Sequence, residues 1–184
     1  MEPLENGNYY HIFNRGNNKQ SIFFEEANYH YFLQLVRTHI LPIGTIYAYC
    51  LLKNHFHLLV RISKEAQDPS RKFSNLFNAY TKAINKRYLR TGSLFQKPFK
   101  RKKILDEKYL RDVLIYIHLN PSRHKIFTNF EKYPHSSYSD IVMEKPTFVN
   151  SEDVLSWFGD RNNFIFAHNQ RKEYLDLNAD NFLK

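Results

Sequence analysis

Two strand-length apolar runs, separated by only two residues, constrain the fold of this chain more than any other feature. Residues 45–52 and 55–62 are rich in strand-forming side chains and flank Lys53-Asn54. So short a connection joins neighbouring strands in an antiparallel hairpin. The sequence therefore predicts an antiparallel sheet built around this pair.

The other elements alternate with helices along the chain. Residues 8–14 form a short aromatic strand pattern, and apolar residues recur at helical spacing over residues 25–40 and 70–90. Residues 92–104 contain a turn followed by an extended basic segment with a proline, so we expect any strand there to be an edge strand or an irregular one.

A third helix begins at Asp106 and is expected to end before Pro121, because a proline disfavours helical geometry in the residue before it. The order β, α, β, β, α, β, α predicts an α+β fold: a ferredoxin-like antiparallel sheet with helices packed on one face. Residues 1–140 are expected to form the main domain, and residues 141–184 a short helical C-terminal extension of unknown role.

The chain of 184 residues is strongly basic. Its 27 Lys and Arg against 18 Asp and Glu give a formal net charge of +9 and a pI near 9.5. Because each phosphate contact by Lys or Arg releases counterions, this charge favours a polyanionic partner. An aromatic content of 16% adds stacking surfaces of the kind that single-stranded nucleic acid binds, although core packing alone would explain most of these rings.

Cysteine content and hydropathy bear on the cellular compartment in which the chain is expected. Cys50 is the only cysteine, which excludes an intramolecular disulfide and a multi-cysteine zinc module and fits a reducing compartment. The chain shows neither a secretory signal nor the run of about eighteen apolar residues that a membrane span needs. We therefore expect a cytoplasmic protein that is not secreted and does not cross a membrane.

One predicted strand carries a histidine pair. In Asn54-His55-Phe56-His57, alternation along a strand sends both imidazoles to one face and Phe56 to the other. Two neutral imidazoles at this spacing can share a divalent ion. The alternative is a pair of partly exposed strand histidines that make ordinary hydrogen bonds, because a His-x-His pattern alone has little specificity.

The third predicted helix carries a tyrosine and an asparagine on one line. Tyr116 and Asn120 are four residues apart, beside an apolar stripe that includes Leu110, Leu114 and Ile117. This spacing allows Tyr116 to face away from the core beside Asn120. Taken alone, such a tyrosine is more often a packing residue at the edge of a core than a nucleophile.

Basic residues form a helix stripe, an isolated position and a dense cluster. Lys82 and Lys86 repeat at four-residue spacing, for which a solvated charged face is the ordinary explanation, and Arg15 lies in the turn after the first strand. The dense cluster has Phe95 and Phe99 interleaved and is the better candidate for phosphate and base contacts. It consists of Lys97, Lys100, Arg101, Lys102 and Lys103.

Five blocks in a fixed order carry a resemblance to a known family. They are residues 10–15 (YHIFNR), 54–59 (NHFHLL), 92–96 (GSLFQ), 116–121 (YIHLNP) and 133–138 (YPHSSY). On these blocks the chain resembles the single-tyrosine transposases with a His-hydrophobic-His (HUH) motif, especially the group associated with repetitive extragenic palindromes (REP).

The resemblance implies an enzyme that cleaves and rejoins DNA, with residues 1–140 as its catalytic domain. His55, His57 and Asn120 would bind a divalent ion, and Tyr116 would attack the scissile phosphate. Members of the family open single-stranded DNA beside a hairpin and leave a 5′-phosphotyrosine link and a free 3′-hydroxyl. The expected cofactor is Mg²⁺ or Mn²⁺, of which Mn²⁺ suits two imidazoles and an amide oxygen better. Family members are often dimers, so a homodimer is also an expectation.

The chain departs from the family pattern at two places, and two histidines stay outside the predicted site. Leu52-Lys53 stand where Met-Pro usually precede the histidine motif, and residues 122–125 (SRHK) stand where a small-residue turn is commoner. His118 is left out of the ligand set, because a residue two positions from Tyr116 points to another side of a helix. His11 would approach the site if the first strand lay beside the histidine strand, but the sequence does not fix this pairing, and a solvated or core-edge histidine is the expectation.

Two rival functions stay open at this point. One is a non-catalytic protein that binds single-stranded DNA or RNA on the same scaffold. The other is a metal-dependent hydrolase that uses an activated water, which would normally need a carboxylate base that these motifs do not supply.

Overall fold

The computed structural model describes residues 3–177, so residues 178–184 of the predicted C-terminal extension lie outside it. The predicted order of strands and helices is confirmed. The strands are β1 (Tyr9–Arg15), β2 (Gly44–Leu52), β3 (His55–Ile62) and β4 (Lys100–Ile104), and the helices are α1 (Glu26–His39), α2 (Pro69–Arg87), α3 (Glu107–Arg123), α4 (Tyr138–Val142), α5 (Ser151–Ser156) and α6 (Arg161–Leu177). No helix within this described part is long and apolar enough to cross a membrane.

The four strands form one antiparallel sheet in the order β2-β3-β1-β4. This is the order of a ferredoxin-like fold, so the predicted α+β class is confirmed. The hairpin of β2 and β3 arises from the two-residue connection, and β4 is an edge strand, as its proline-containing approach predicts. β1 lies between β3 and β4, which brings the first aromatic block beside the histidine pair.

Helices cover both faces of this sheet, not one. On one face, Phe56 of β3 packs against Phe32 of α1 and Phe77 of α2, with ring centroids 4.9 and 5.5 Å away. On the other face, Tyr116 of α3 contacts His57 of β3. The reason is that β2 is apolar along most of its length and both β2 and β3 are buried almost throughout, so both faces of these strands are covered.

The third helix continues to Arg123, so the expected end before Pro121 is wrong. A proline this close to a helix end removes only one intrahelical hydrogen bond, and the ring of Pro121 is buried. The backbone N–H of His124 still donates to the carbonyl of Asn120 at 3.1 Å, which helps to satisfy the last turn. Asn120 therefore stays helical and on the same line as Tyr116.

A buried chain of hydrogen bonds attaches α6 to α3. His168 Nδ1 donates to the backbone oxygen of Phe164 at 2.8 Å, so its Nε2 accepts from His118 Nδ1 at 3.0 Å. His118 Nε2 then accepts from the hydroxyl of Ser137 at 2.9 Å. Both histidines are fully buried. His118 therefore packs between α3 and α6, and it lies away from the predicted ligands.

We expect acid to destabilise the fold through His168, whose titratable neighbours are His118 and Tyr138. Burial lowers the pKa of His168 from 6.5 to about 4, against the opposing effect of its backbone hydrogen bond to Phe164. Between these two values the unfolded chain binds a proton that the folded chain does not. The contribution of neutral His168 to stability is therefore complete above pH 6.5, the pKa in the unfolded chain. As the pH falls from there towards 4, the pKa in the folded chain, the free energy of unfolding decreases by about 3 kcal/mol.

Urea unfolding at several pH values tests this expectation. The free energy of unfolding should fall less between about pH 7 and pH 4.5 in His168→Gln than in the unchanged protein. His30→Gln, at an exposed histidine of α1, is the matched control and should keep the full pH dependence. An equal pH dependence in all three proteins would exclude His168 as the cause.

Candidate active site

The strand β3 places His55 and His57 on the sheet face that α3 covers. Both side chains are buried, each with 5% of its surface exposed. Phe56 points to the opposite face, where it packs on α1 and α2. The predicted alternation is therefore present, and the alternative of two partly exposed histidines is wrong.

Each histidine of the pair makes a hydrogen bond through Nδ1. His55 Nδ1 lies 2.7 Å from Oδ1 of Asn54, and an amide oxygen can only accept, so the imidazole donates. His57 Nδ1 lies 2.9 Å from Nε2 of His11. Both Nε2 atoms are buried and have no hydrogen-bond partner among the described residues.

Asn120 of α3 contributes a third unsatisfied atom. Its Nδ2 donates to the carbonyl oxygen of Tyr116 at 3.0 Å, and its Oδ1 is buried without a partner in the described part of the chain. Asn120 also lies beside His55, where its amide acts to raise the pKa of that imidazole against the larger lowering by burial. Because buried polar atoms without partners are costly and uncommon, three of them on facing elements indicate a site for a ligand.

These three atoms are of the kinds that bind divalent metal ions. Within residues 3–177, no group of three or more His, Cys, Asp or Glu side chains is arranged to hold a metal. The predicted third ligand, Asn120, is of another residue type, and its Oδ1 has no partner among these residues. Two imidazole nitrogens and an amide oxygen form a neutral set that suits Mn²⁺, or Mg²⁺ with additional oxygen ligands.

The histidines of the site are neutral at neutral pH. Burial is the main cause that lowers the pKa of His11 and His55 to about 4 and that of His57 well below its ordinary value. Nearby groups that can carry positive charge add to the effect: Lys102 acts on His11, and His124 acts on His55. A neutral imidazole offers the lone pair that a cation needs, so the site requires no deprotonation before it binds a metal.

Tyr116 lies over the histidines. Its ring centroid is 5.5 Å from that of His57 and 5.8 Å from that of His11, and the guanidinium carbon of Arg123 lies 5.0 Å from the same ring. The side chain is partly exposed and lines a cavity of about 220 Å³ together with His55 and His57. Tyr116 therefore shares one cavity with two of the candidate metal ligands, as the predicted role of a nucleophile requires.

The dense basic cluster divides between the two faces of the sheet. β4 pairs with β1, and alternation places Lys100 and Lys102 on the face of the histidine pair and Arg101 and Lys103 on the opposite face. Lys100 and Arg15 line the cavity at Tyr116. Positive charge therefore borders the site, but only part of the predicted cluster supplies it.

The other predicted basic residues do not reach this cavity. Lys82 and Lys86 are exposed on α2, which covers the opposite face of the sheet. Lys97 lines a different cavity, and Lys103 forms an ion pair with Glu5 at 2.5 Å. A DNA contact by these residues stays a prediction that concerns surfaces away from Tyr116.

Two further histidines lie at the site: the sequence left the approach of His11 dependent on strand pairing, and His124 was not predicted. His11 was expected to be solvated or at the edge of the core, but it is 7% exposed and hydrogen-bonded to His57. His124 lines the cavity, with its ring centroid 4.8 Å from that of His55. The pairing of β1 with β3 places the first, and the extension of α3 past its proline places the second.

We expect His11→Phe to weaken metal binding and to leave the fold intact. The substitution keeps an aromatic ring in the space but removes the hydrogen-bond partner of His57 Nδ1, which must be the donor when His57 Nε2 binds a metal. The loss of such a partner typically lowers metal affinity about 10- to 100-fold. Titration with Mn²⁺, followed by electron paramagnetic resonance, measures the effect. His11→Gln retains an acceptor and should recover part of the affinity.

The exposed His30 offers a matched control for this prediction. His30→Phe makes the same chemical change on α1, where the side chain is 71% exposed, and should leave the affinity for Mn²⁺ unchanged. If His11→Phe also bound Mn²⁺ like the unchanged protein, His11 would have no part in holding the metal ligands.

No protein-family model matches the chain. Among curated proteins, it is 26% identical over 106 residues to a Haemophilus influenzae protein that is provisionally named a REP-associated tyrosine transposase. The match covers 53% of this chain and 60% of that relative. The chain thus spans about three fifths of the length of the relative.

Solved structures extend the comparison to the fold. A REP-associated tyrosine transposase bound to a REP hairpin superposes with a TM-score of 0.65 at 18% identity, over 78% of this chain and 84% of the other. A bacterial tRNA(His) guanylyltransferase-like protein in complex with ATP reaches a TM-score of only 0.46 at 11% identity, which is too low to carry an argument. Sequence and fold agree, and the predicted resemblance of this chain to the REP-associated tyrosine transposase group is confirmed.

Proposed function

We propose that this chain is a metal-dependent transposase that cleaves and rejoins single-stranded DNA beside hairpins through Tyr116. The observation that carries the proposal is the meeting, on one sheet face, of three buried unsatisfied ligand atoms, a partly exposed tyrosine and a basic rim. The similar proteins are named as REP-associated tyrosine transposases, and one is bound to a REP hairpin, which supports the same class of substrate.

His55, His57 and Asn120 would hold the divalent ion, Mg²⁺ or Mn²⁺. When bound, the ion would withdraw charge from the scissile phosphate and stabilise the transition state of its substitution. All three ligands are neutral, so no carboxylate offsets the positive charge that the phosphate meets. This ligand set is therefore suited to binding an anionic substrate.

Tyr116 would supply the nucleophile. Its hydroxyl would lose its proton and its oxygen would form a bond to phosphorus while the bond from phosphorus to the 3′-oxygen breaks. The departing 3′-oxygen would take up one proton to become a 3′-hydroxyl, so the step needs no net proton. The result is a 5′-phosphotyrosine that conserves the energy of the broken ester, so a 3′-hydroxyl can reverse the step. Arg15, Lys100 and Arg123 lie where they can bind the phosphates on either side.

The composition of the cavity favours this mechanism over hydrolysis by an activated water. None of the described residues that line the 220 Å³ cavity, which Tyr116 shares with the histidine pair, is an Asp or a Glu, the usual bases for water activation. Asp176 lines a neighbouring cavity that Tyr116 also borders, but it forms an ion pair with Lys172 there. The other rival, a non-catalytic nucleic-acid-binding protein, would have no use for three buried polar atoms without partners. The homodimer that the resemblance implies stays a prediction.

Detection of a covalent adduct tests the proposal. The protein is incubated with labelled single-stranded DNA that carries a hairpin, with Mn²⁺, Mg²⁺ or a chelator, and the products are separated on a denaturing gel. We expect a slowly migrating protein–DNA band that requires the metal. DNA cleavage without this band would favour the hydrolase, and DNA binding without either product would favour the non-catalytic protein.

A further inference from the structure

A second cavity, of about 510 Å³, lies between α2 and the segment of residues 92–99. Its lining does not include Tyr116 or the histidine pair. Asn14 and Gln96 line both this cavity and the 220 Å³ cavity at Tyr116, so the two adjoin near the end of β1. We call the second cavity the α2 pocket.

The α2 pocket combines an aromatic wall with hydrogen-bonding side chains. The ring of Phe77 packs against those of Phe95 and Phe99, with centroids 5.4 and 5.3 Å away, and all three line the pocket. The polar side chains from α2 are Ser70, Ser74, Asn78 and Thr81. An unpaired nucleobase presents the matching surfaces, because its faces stack on aromatic rings and its edge carries donors and acceptors.

Asn78 is the polar group best suited to contact the edge of a base. It is exposed at the pocket, and no hydrogen bond within the described part of the chain involves its side chain. An amide presents a donor and an acceptor side by side, which pair with two adjacent atoms on a base such as adenine. Thr81 lies one helical turn further on, at the same pocket.

Basic side chains lead from the cavity at Tyr116 to the α2 pocket. Lys100 lines the former, and Lys97 and Arg101 line the latter. The guanidinium carbon of Arg101 lies 4.4 Å from the centroid of the Phe99 ring, and its Nη1 donates to the hydroxyl of Ser70 at 2.9 Å. A strand that passes over β4 would therefore meet positive charge on both sides of this edge.

We propose that the α2 pocket binds an unpaired nucleobase of the substrate strand, close to the scissile phosphate, and so selects the position of cleavage. The inference rests on the proposed function for the place of that phosphate, whereas the binding of a base requires no cleavage. The volume lies in the range of sites that enclose small organic ligands. A base within a duplex is stacked and paired, so the α2 pocket selects single-stranded segments.

Binding of simple single strands, without metal, tests this inference. The probes are homopolymers of dA, dC and dT of about 12 nucleotides and an abasic strand of the same length, a site size typical of such proteins. Affinities are measured by fluorescence anisotropy with a chelator present, so that no metal-dependent cleavage interferes. We expect the abasic strand to bind about ten-fold more weakly than the best homopolymer.

The decisive comparison uses Asn78→Ala. This variant should lose about ten-fold in affinity for the best homopolymer and nothing for the abasic strand. Asn162→Ala, at an exposed asparagine of α6, is the matched control and should change neither affinity. The inference is overturned if Asn78→Ala affects both strands equally, or neither, or if bases add no affinity.

The outcomes for the α2 pocket and for the proposed function are separable. Base-dependent binding through Asn78 without any covalent adduct would leave the pocket standing and remove the transposase mechanism. A metal-dependent adduct together with equal binding of abasic and base-bearing strands would support the transposase mechanism and overturn base binding in the α2 pocket.

Discussion

Tyr116→Phe is expected to bind hairpin-bearing single-stranded DNA like the unchanged protein and to form no covalent adduct with it. The substitution removes one oxygen and retains the ring that contacts His57, His11 and Arg123. No other atom of the side chain can form the phosphate ester, so we expect adduct formation to fall by about 10⁴-fold or more. The adduct is measured on denaturing gels and the affinity by anisotropy.

Tyr109→Phe is the matched control on the same helix. Tyr109 lies two turns before Tyr116, and its ring is contacted by Lys102 at 4.9 Å. It should form as much adduct as the unchanged protein. If Tyr116→Phe still gave an adduct, and peptide mapping placed it on another tyrosine, the assignment of the nucleophile would be wrong.

Asn120→Leu is expected to reduce DNA cleavage about 10²-fold, because it removes one of the three proposed ligands of the ion that stabilises the transition state. The metal-free variant should nevertheless be as stable as the unchanged protein or more so. The reason is that Asn120 Oδ1 has no hydrogen-bond partner among residues 3–177, and leucine replaces that buried polar atom with an apolar group of similar volume. Urea unfolding and Mn²⁺ titration measure the two effects separately.

Asn120→Asp distinguishes loss of the ligand from loss of packing. An aspartate keeps an oxygen at the ligand position but loses the hydrogen bond from Nδ2 to the carbonyl of Tyr116. We expect it to bind Mn²⁺ far better than Asn120→Leu does. Mn²⁺ affinities equal to that of the unchanged protein in both variants would show that Asn120 is not a ligand.

The local features of the fold were predictable because they depend on neighbours in sequence. The two-residue connection specifies the hairpin of β2 and β3, and the periodicities specify the helices. The covering of both sheet faces was missed, although seven consecutive buried residues in β2 are typical of a strand with two covered faces. The predicted end of α3 was wrong because Pro121 disfavours the helical conformation only locally, whereas packing of the buried last turns keeps the helix intact to Arg123.

The residues of the candidate site were predictable as local pairs, but their arrangement around one cavity was not. Alternation along β3 and the four-residue spacing on α3 identify His55, His57, Tyr116 and Asn120 as pairs, but only the fold shows that the two pairs face each other. The place of His11 could not be fixed from local pattern, because its contact with His57 depends on the pairing of β1 with β3, which is distant in sequence. The register of that pairing sets Phe13 opposite His57 and so brings His11 to the same face.

The hydrogen bond from Asn120 to the carbonyl of Tyr116 links the proposed ligand directly to the helical turn that carries the proposed nucleophile. Any strand or partner that displaces this part of the helix would withdraw both from the histidines in one movement. Under the proposed mechanism, the Asn120 ligand and the Tyr116 nucleophile would therefore be lost together.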